Sequence, residues 1–298
     1  MLRTFKRELP LHLLIWPGLV MLIVYHYGPM IGIVMAFQNY YPTMGIRGSE
    51  WVGLDNFTYL FSLPDTMNVL RNTLSISLMK IAAGLLAPIS MALLINEVRI
   101  TAFKRSVQTM IYLPHFLSWV IAGGILIDIL SPSKGIVNQL LASLGIEKIY
   151  FLGNNDWFQY VIVSSDQWKE FGFSTIVYLA ALTGIDPSLY EASAIDGAGR
   201  WRQTWHVSLP GMRPIVFLLM TLSLGNVLNA GFEQVYILYS PQVYEKGDII
   251  DTMVYRMGLV QLQYSMAAAV GLFKAVVSLA LVSISYWLAY RFAKYRIF

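Results

Sequence analysis

The chain has 298 residues, of which 56% are hydrophobic and only 13% charged, and it carries a net charge of +4. A soluble domain would hold about a quarter charged residues, so this composition excludes an ordinary soluble enzyme, and so small a net charge is on its own weak evidence for nucleic acid. There is no cysteine, which excludes disulfides, thiolate chemistry and cysteine-ligated metals.

Six apolar runs long enough to cross a bilayer follow in chain order, at about 11–37, 69–96, 106–130, 157–183, 214–240 and 267–291. The expectation is an all-α polytopic membrane protein, a single transmembrane domain over 1–298. The first run follows Arg3, Lys6 and Arg7, yet it is too long for a signal peptide and no small-x-small cleavage site follows it. It is read as a retained helix.

Lysine and arginine placement then sets the orientation. With the N-terminus inside, the cytoplasmic segments hold Arg3, Lys6 and Arg7; Arg99, Lys104 and Arg105; Arg200, Arg202 and Arg213; and Arg291, Lys294 and Arg296. The outer segments hold Arg47, Lys134, Lys148, Lys246 and Arg256. Twelve against five favours both termini inside, and it puts the segment between the fourth and fifth spans in the cytoplasm.

That segment has an ordered local grammar. Asp186-Pro187 supplies an N-cap oxygen followed by proline at the first helical position, with Ser188-x-x-Glu191 as an alternative capping box. Leu189 to Ala194 favours a short helix, which Gly197 can end in the left-handed conformation. Asp196 is a candidate cap for a following turn through Trp201, Thr204 and Trp205, and Leu209-Pro210 is expected to break the pattern. From the residues alone, a helix lying on the lipid interface and a helix docking a protein stand on equal terms.

The fourth span carries the most polar interruption, Asp166-Gln167-Trp168-Lys169-Glu170, which begins roughly 14 Å along it. Asn226, Asn229 and Glu233 follow i, i+3, i+7 spacing in the fifth and are expected on one helical face. Amides, carboxylates and a flat ring suit a saccharide path, with Asp166, Trp168, Lys169, Glu170, Asn226, Asn229 and Glu233 as candidates and Tyr178 behind them. The competing reading is internal pairing, such as Asp166 with Lys169 or Lys169 with a neighbouring helix. Lys80 and Lys274 are read as snorkelling or paired, and Gly123-Gly124 and Ala267-Ala268-Ala269 as packing surfaces.

Nothing in the chain resembles an active site. The histidines at 12, 26, 115 and 206 are too scattered for a short metal motif. No Gly-Lys dipeptide occurs, so the phosphate-cradling loop is absent and any ATP is bound by another chain. An intramembrane enzyme therefore lacks a credible constellation. A secondary transporter driven by an ion gradient stays open as the alternative, although paired inverted repeats are not visible.

Glu191-Ala192-Ser193-x-x-Asp196-Gly197-Ala198, followed by Leu209-Pro210 and Pro214, resembles the "EAA" loop of permease subunits in binding-protein-dependent ABC importers. Phe37-Gln38-Asn39-Tyr40, Trp51 to Phe57, Asn72-Thr73-Leu74 and Tyr112-Leu113-Pro114 are similar to the sugar-importer branch related to maltose permeases. His115-Phe116, Leu130-Ser131-Pro132 and Gly135 to Asn138 look closest to permeases for polysaccharides and complex saccharides, relatives of the alginate importers. Ser193 departs from the second alanine of the triplet, and Trp205 and Val207 stand where Phe and Ile are common.

The resemblance implies a type I ABC importer transmembrane domain with a cytoplasmic coupling helix about 186–213. Glu191 would pair with an ATPase subunit, Ala192 and Ser193 would permit close approach, and Asp196 and Gly197 would shape the turn. It implies a bacterial cytoplasmic membrane, a second permease, two ATPase subunits carrying ATP and Mg, an extracytoplasmic binding protein and a saccharide substrate. This chain itself would be non-catalytic and bind no cofactor.

Overall fold

The computed structural model describes residues 2–293. The side chains of Arg3, Lys6 and Arg7, and all of Lys294 and Arg296, lie outside the described residues. The principal helices are α1 Leu2–Leu22, α2 Pro64–Glu97, α3 Thr101–Tyr112, α4 Trp119–Leu130, α5 Asn155–Thr183, α6 Pro187–Ile195, α7 Leu209–Gly225, α8 Phe232–Leu238 and α9 Tyr264–Ala293. The chain resolves into two compact units, one of residues up to Leu63 with Met253–Phe273, the other of Pro64–Thr252 with the residues from Lys274 onward.

In the first unit, α1 runs on through a wide turn at Ile23–Tyr27 and a tighter 3-10 stretch at Gly28–Phe37. Its apolar side chains are exposed nearly all round, as a lipid-facing helix requires. A two-stranded antiparallel ribbon follows, Gln38–Asn39 against Glu50–Trp51, a small departure from a wholly helical chain. The Trp51 to Phe57 motif closes it. Trp51 stacks on Phe37 at 5.7 Å, Gly53 turns the chain at φ +63°, and the Asn56 amide donates to the carbonyls of Ala36 and Gln38. The Tyr40 N–H donates to Ser265 Oγ at 2.8 Å, which ties the ribbon to the start of α9.

The second unit is built on the pairing of α2 with α5. One apolar core includes Ile76, Phe158, Ile162, Val235 and Ile249, and another Ala92, Ile95, Tyr178, Leu182 and Met212. These cores grip the helix pair at different levels and leave its middle, around Lys80 and Asp166, to polar side chains. At Gly172 a Cβ would lie 1.8 Å from the carbonyl oxygen of Ile111, so α3 and α5 meet backbone to backbone. Gly123 packs under the Ile237 side chain of α8, where a Cβ would lie 2.5 Å from its Cγ2, whereas Gly124 faces open space.

Among the described residues, His12–Phe37, Pro64–Glu97, Arg200–Gly225 and Tyr264–Trp287 are long and apolar enough to cross a membrane. The span expected at 106–130 is not one straight helix. Thr101–Phe116 and Trp119–Leu130 bend by 103°. Pro114 lies in the last turn before the break, and Ser118 restarts the chain as an N-cap, its hydroxyl accepting from the Ile121 N–H. Helix α5 is 29 residues long, but Asp156, Asp166, Lys169 and Glu170 keep it from reading as apolar.

The fifth span also departs from 214–240. Leu209-Pro210 does not break the chain: the wide π-helical turn Thr204–Ser208 leads straight into α7, and the extra residue in that turn accommodates Pro210 within one continuous helix. The helix instead stops at Gly225. Asn226 is its C-cap, and Gly231, at φ +94°, precedes α8. Asn226, Asn229 and Glu233 therefore do not share one helical face: the first two lie in the break, and Glu233 is in the first turn of a different helix.

Candidate functional site

The break after Gly225 frees a carbonyl, at Ala230, in the middle of a hydrophobic span. Lys80 on α2 receives it. The Lys80 ammonium donates to Ala230 O at 2.9 Å, to Gln234 Oε1 at 2.5 Å and to Asp166 Oδ1 at 2.8 Å. All three of its N–H donors are occupied. Gln234 is fully buried, and its amide donates in turn to Ile162 O and Ser165 Oγ, both at 2.8 Å. A broken helix in a bilayer needs such substitutes for its lost backbone bonds.

Around this knot lies a cavity of about 410 Å³, lined by Lys80, Asp166, Gln167 and Glu170 with Ser77, Ser174, Ser223, Asn226 and Asn229 and the apolar Ile81, Phe171, Leu219 and Leu222. The structure thus brings together four of the candidate path residues, Asp166, Glu170, Asn226 and Asn229. The other three do not line it. Trp168 projects from α5 with 39% of its surface exposed. Glu233 is exposed on α8. Lys169 is buried, with its ammonium 2.8 Å from Glu170 Oε1 and 3.0 Å from the His115 carbonyl, over the Trp119 ring.

Asp166 pairs with Lys80 rather than with Lys169, because Lys169 is turned onto its own neighbour and the α3–α4 corner. Glu170 takes a second partner there, His115 Nδ1 at 2.7 Å, and the His115 ring stacks on Phe173 at 4.0 Å. Asn229 Oδ1 accepts from Lys274, which also holds Asp251. Two lining side chains keep a buried oxygen without a partner among the described residues, Ser77 Oγ and Gln167 Oε1. Lys80 and Gln234 were not among the path candidates. Lys80 announces itself as an ionisable group in a span, but its carbonyl and amide partners depend on where the fifth span breaks.

The 186–208 segment leaves the opposite end of α5. Asp186 Oδ1 accepts from the Ser188 N–H at 2.9 Å, and this bond holds its carboxyl below the ordinary carboxylate range. Helix α6 runs Pro187–Ile195 and closes by a Schellman motif: Gly197, at φ +75°, donates to Ala194 O and Ala198 donates to Ser193 O. Asp196 is the C-cap of α6 and does not cap the next turn, whose N-cap is Gly199.

Ser193, the departure from the alanine triplet, ties the segment together. Its hydroxyl donates to Tyr190 O and accepts from the Gln203 amide, while the Tyr190 hydroxyl meets Ser208 at 2.9 Å. Arg200 pairs with Glu97 at the end of α2. Outside these bonds the segment offers Glu191, Ala192, Asp196 and Gly197 to its surroundings, and beside them lie Ile195, 86% exposed, and the stacked pair Trp201 and Trp205. Such an apolar, mostly unpaired surface is suited to a protein partner.

Among the described residues no group of three or more His, Asp or Glu is gathered to hold a metal ion.

Residues 84–295 match the family described as "Binding-protein-dependent transport system inner membrane component". The polygalacturonan/rhamnogalacturonan transport system permease protein YteP of Bacillus subtilis (strain 168) is 46% identical over 97% of this chain and 90% of its own length. Protein LplB of the same organism is 43% identical over 99% and 93%. Of the solved structures, a bacterial alginate ABC transporter in complex with an alginate pentasaccharide-bound periplasmic protein contains a chain with TM-score 0.92 and 38% identity, covering 100% of this chain and 99% of that one. A bacterial ABC transporter involved in the import of the acidic polysaccharide alginate gives TM-score 0.90 and 39% identity, over 97% and 98%.

Proposed function

This chain belongs to the family of inner membrane components of binding-protein-dependent transport systems, and on that footing we propose that it forms half of the path by which an ABC importer takes up an acidic oligo- or polysaccharide. Family membership displaces the ion-gradient alternative. The cargo follows the relatives, which are named for polygalacturonan, rhamnogalacturonan and alginate.

The observation that carries the reading is the cavity in the middle of the α2–α5 pair. Its carboxylates, amides and hydroxyls match the hydroxyl-rich surface of a sugar, and Ser77 Oγ and Gln167 Oε1 have unused bonding capacity. Asp166, Glu170, Asn226 and Asn229 are the path residues. Lys169 and Gln234 position them, and Trp168 and Glu233 fall outside this half of the path.

The same two helices run from the cavity to the 186–208 segment, which α5 enters directly and α2 meets through Glu97 and Arg200. A shift of α6 therefore acts on the cavity walls through rigid helices rather than through loose chain. Glu191, Ala192, Ser193, Asp196 and Gly197, with Ile195 and Trp201, form the surface that docks one of two ATPase subunits, where ATP and Mg are bound. A second permease completes the path, an extracytoplasmic binding protein delivers the saccharide, and both termini lie in the cytoplasm.

The test is a reconstituted complex with its binding protein and the substitution Asn226→Leu. Saccharide uptake is expected to fall at least tenfold, about the effect of leaving one or two substrate hydrogen bonds unmade, while ATPase subunits still copurify. Normal uptake in that variant would remove the cavity from the path.

A further inference from the structure

A second cavity of about 470 Å³ lies on the same α2–α5 pair, toward the start of both helices and away from the 186–208 segment. Asn68, Arg71 and Ser75 on α2, at i, i+3 and i+7, share one face toward it, and Asn155 and Tyr160 on α5 line the other wall. The frame of this cavity is internally bonded. Gln159 bridges Ser75, Asn72 and the Lys246 carbonyl, and the Lys246 ammonium pairs with Asp156 at 2.7 Å.

Four lining groups remain unused. Arg71 is exposed and makes no hydrogen bond or ion pair among the described residues, and the same holds for the side chain of Asn68 and the Tyr160 hydroxyl. Asn155 Oδ1 is buried without a partner, although its amide nitrogen is engaged by Glu245. A guanidinium fork is matched to a carboxylate, an open tyrosine ring to the flat face of a sugar, and free amides to hydroxyls.

The inner cavity cannot read an acid in this way. Both cavities are lined by two carboxylates, Asp166 and Glu170 in the inner and Asp156 and Glu245 in the outer, but the inner cation, Lys80, has its three donors occupied, whereas Arg71 in the outer is unpaired among the described residues. From Tyr160 to Asp166 is six residues of helix, about 9 Å along α5.

We propose that the outer cavity is a saccharide subsite that selects a uronate unit, with Arg71 on its carboxylate, Tyr160 against its ring and Asn68 and Asn155 on its hydroxyls, ahead of an inner passage whose lining cation is already paired. The inference rests on the saccharide-importer reading above and adds where the acidic group is recognised.

The experiment uses the assembled importer with its binding protein in proteoliposomes, with trigalacturonate and its fully methyl-esterified form as probes. Arg71 bonds to no other side chain among the described residues, so Arg71→Gln leaves the fold intact. It is expected to lower trigalacturonate uptake about tenfold, the loss of a charge-assisted pair of bonds, and to leave uptake of the ester within about twofold. Equal losses for both probes would overturn the subsite. So would weaker capture of the binding protein by the variant, which would make this surface a protein-docking face. If the unaltered importer takes the ester but not the acid, the subsite fails and the importer reading stands; if it takes up no saccharide at all, that reading fails as well.

Discussion

The two working regions of this chain are held by bonds of very different reach. In the 186–208 segment, Tyr190, Ser193, Gln203 and Ser208 bond to one another across 3 to 18 positions. Around the cavity, Lys80 reaches Gln234 across 154 positions, Gln234 reaches Ser165 across 69, and His115 reaches Glu170 across 55. A segment folded on local bonds can move as a rigid piece without losing its shape. A cavity closed by distant residues changes shape whenever the helices carrying them shift. That asymmetry suits the coupling proposed above, with a stiff handle acting on a deformable passage.

The largest expected effect comes from the deformable side. Gly172→Ala places a Cβ 1.8 Å from the Ile111 carbonyl, and neither backbone can yield without separating α3 from α5. The corner that carries His115 and Lys169 onto Glu170 goes with it. Loss of the assembled complex on size-exclusion chromatography is expected, and a normally assembled Gly172→Ala complex would refute the backbone-to-backbone contact.

Next is Lys80→Met. Asp166 and Ala230 O then remain in a largely buried setting without their cation, a defect of about 3–5 kcal/mol for a broken buried pair. Combining it with Asp166→Leu should restore most of the thermal stability, because the unpaired charge is gone. Uptake should stay low, since the carboxylate is lost from the cavity wall. Recovery of transport along with stability would show that Lys80 and Asp166 only hold the bundle together.

The handle is expected to respond differently. Gly197 sits at φ +75°, and a Cβ there would meet nothing within 4 Å, so Gly197→Ala adds only the backbone penalty, about 1 kcal/mol. Melting of the complex should barely change, whereas saccharide-stimulated ATP hydrolysis should fall severalfold as the Schellman closure loosens. A drop in melting temperature as large as that of Lys80→Met would erase the distinction between the two regions.

The same difference in reach governs what the residues alone disclose. Asp186, Pro187, Gly197 and the helix between them were legible, because N-cap, first-turn proline and left-handed closure are decided within a few positions. The polar row on α5 was legible as an intrusion into an apolar run. Its pairing was not, since Asp166 has Lys169 nearby in sequence but Lys80 across the helix pair. The end of the fifth span was misplaced because an apolar run continues through the break; only Asn226, Asn229 and Gly231 mark it, and two asparagines also fit a polar helix face. Part of the family resemblance proves to be scaffold as well. Asn72 holds the carbonyls of Glu245 and Asp248, and Asn138 holds those of Leu130, Ser131 and Ile149.

The smallest effect is a difference in pH response between the two ends of α5. At the Thr183 end, the Ser188 N–H keeps the Asp186 carboxyl below its usual range, so its contribution is complete above the unfolded value of about 3.9 and fades as pH falls through the lower folded value. At the other end, the hydrogen bond from Lys246 to Asp156 raises the lysine above its usual range. That contribution is complete below the unfolded value of about 10.4 and is lost as pH rises through the folded one. The ends of one helix thus have opposite limits, and neither falls near neutrality. Amide exchange in Ser188–Glu191, corrected for its intrinsic pH dependence, should quicken only in acid below about pH 4, and Asp186→Asn, which keeps an N-cap oxygen without the charge, should flatten that response. Exchange that changes between pH 6 and 8 would place another titrating group in control of the segment and would break the picture of a handle whose shape is fixed by its own local bonds.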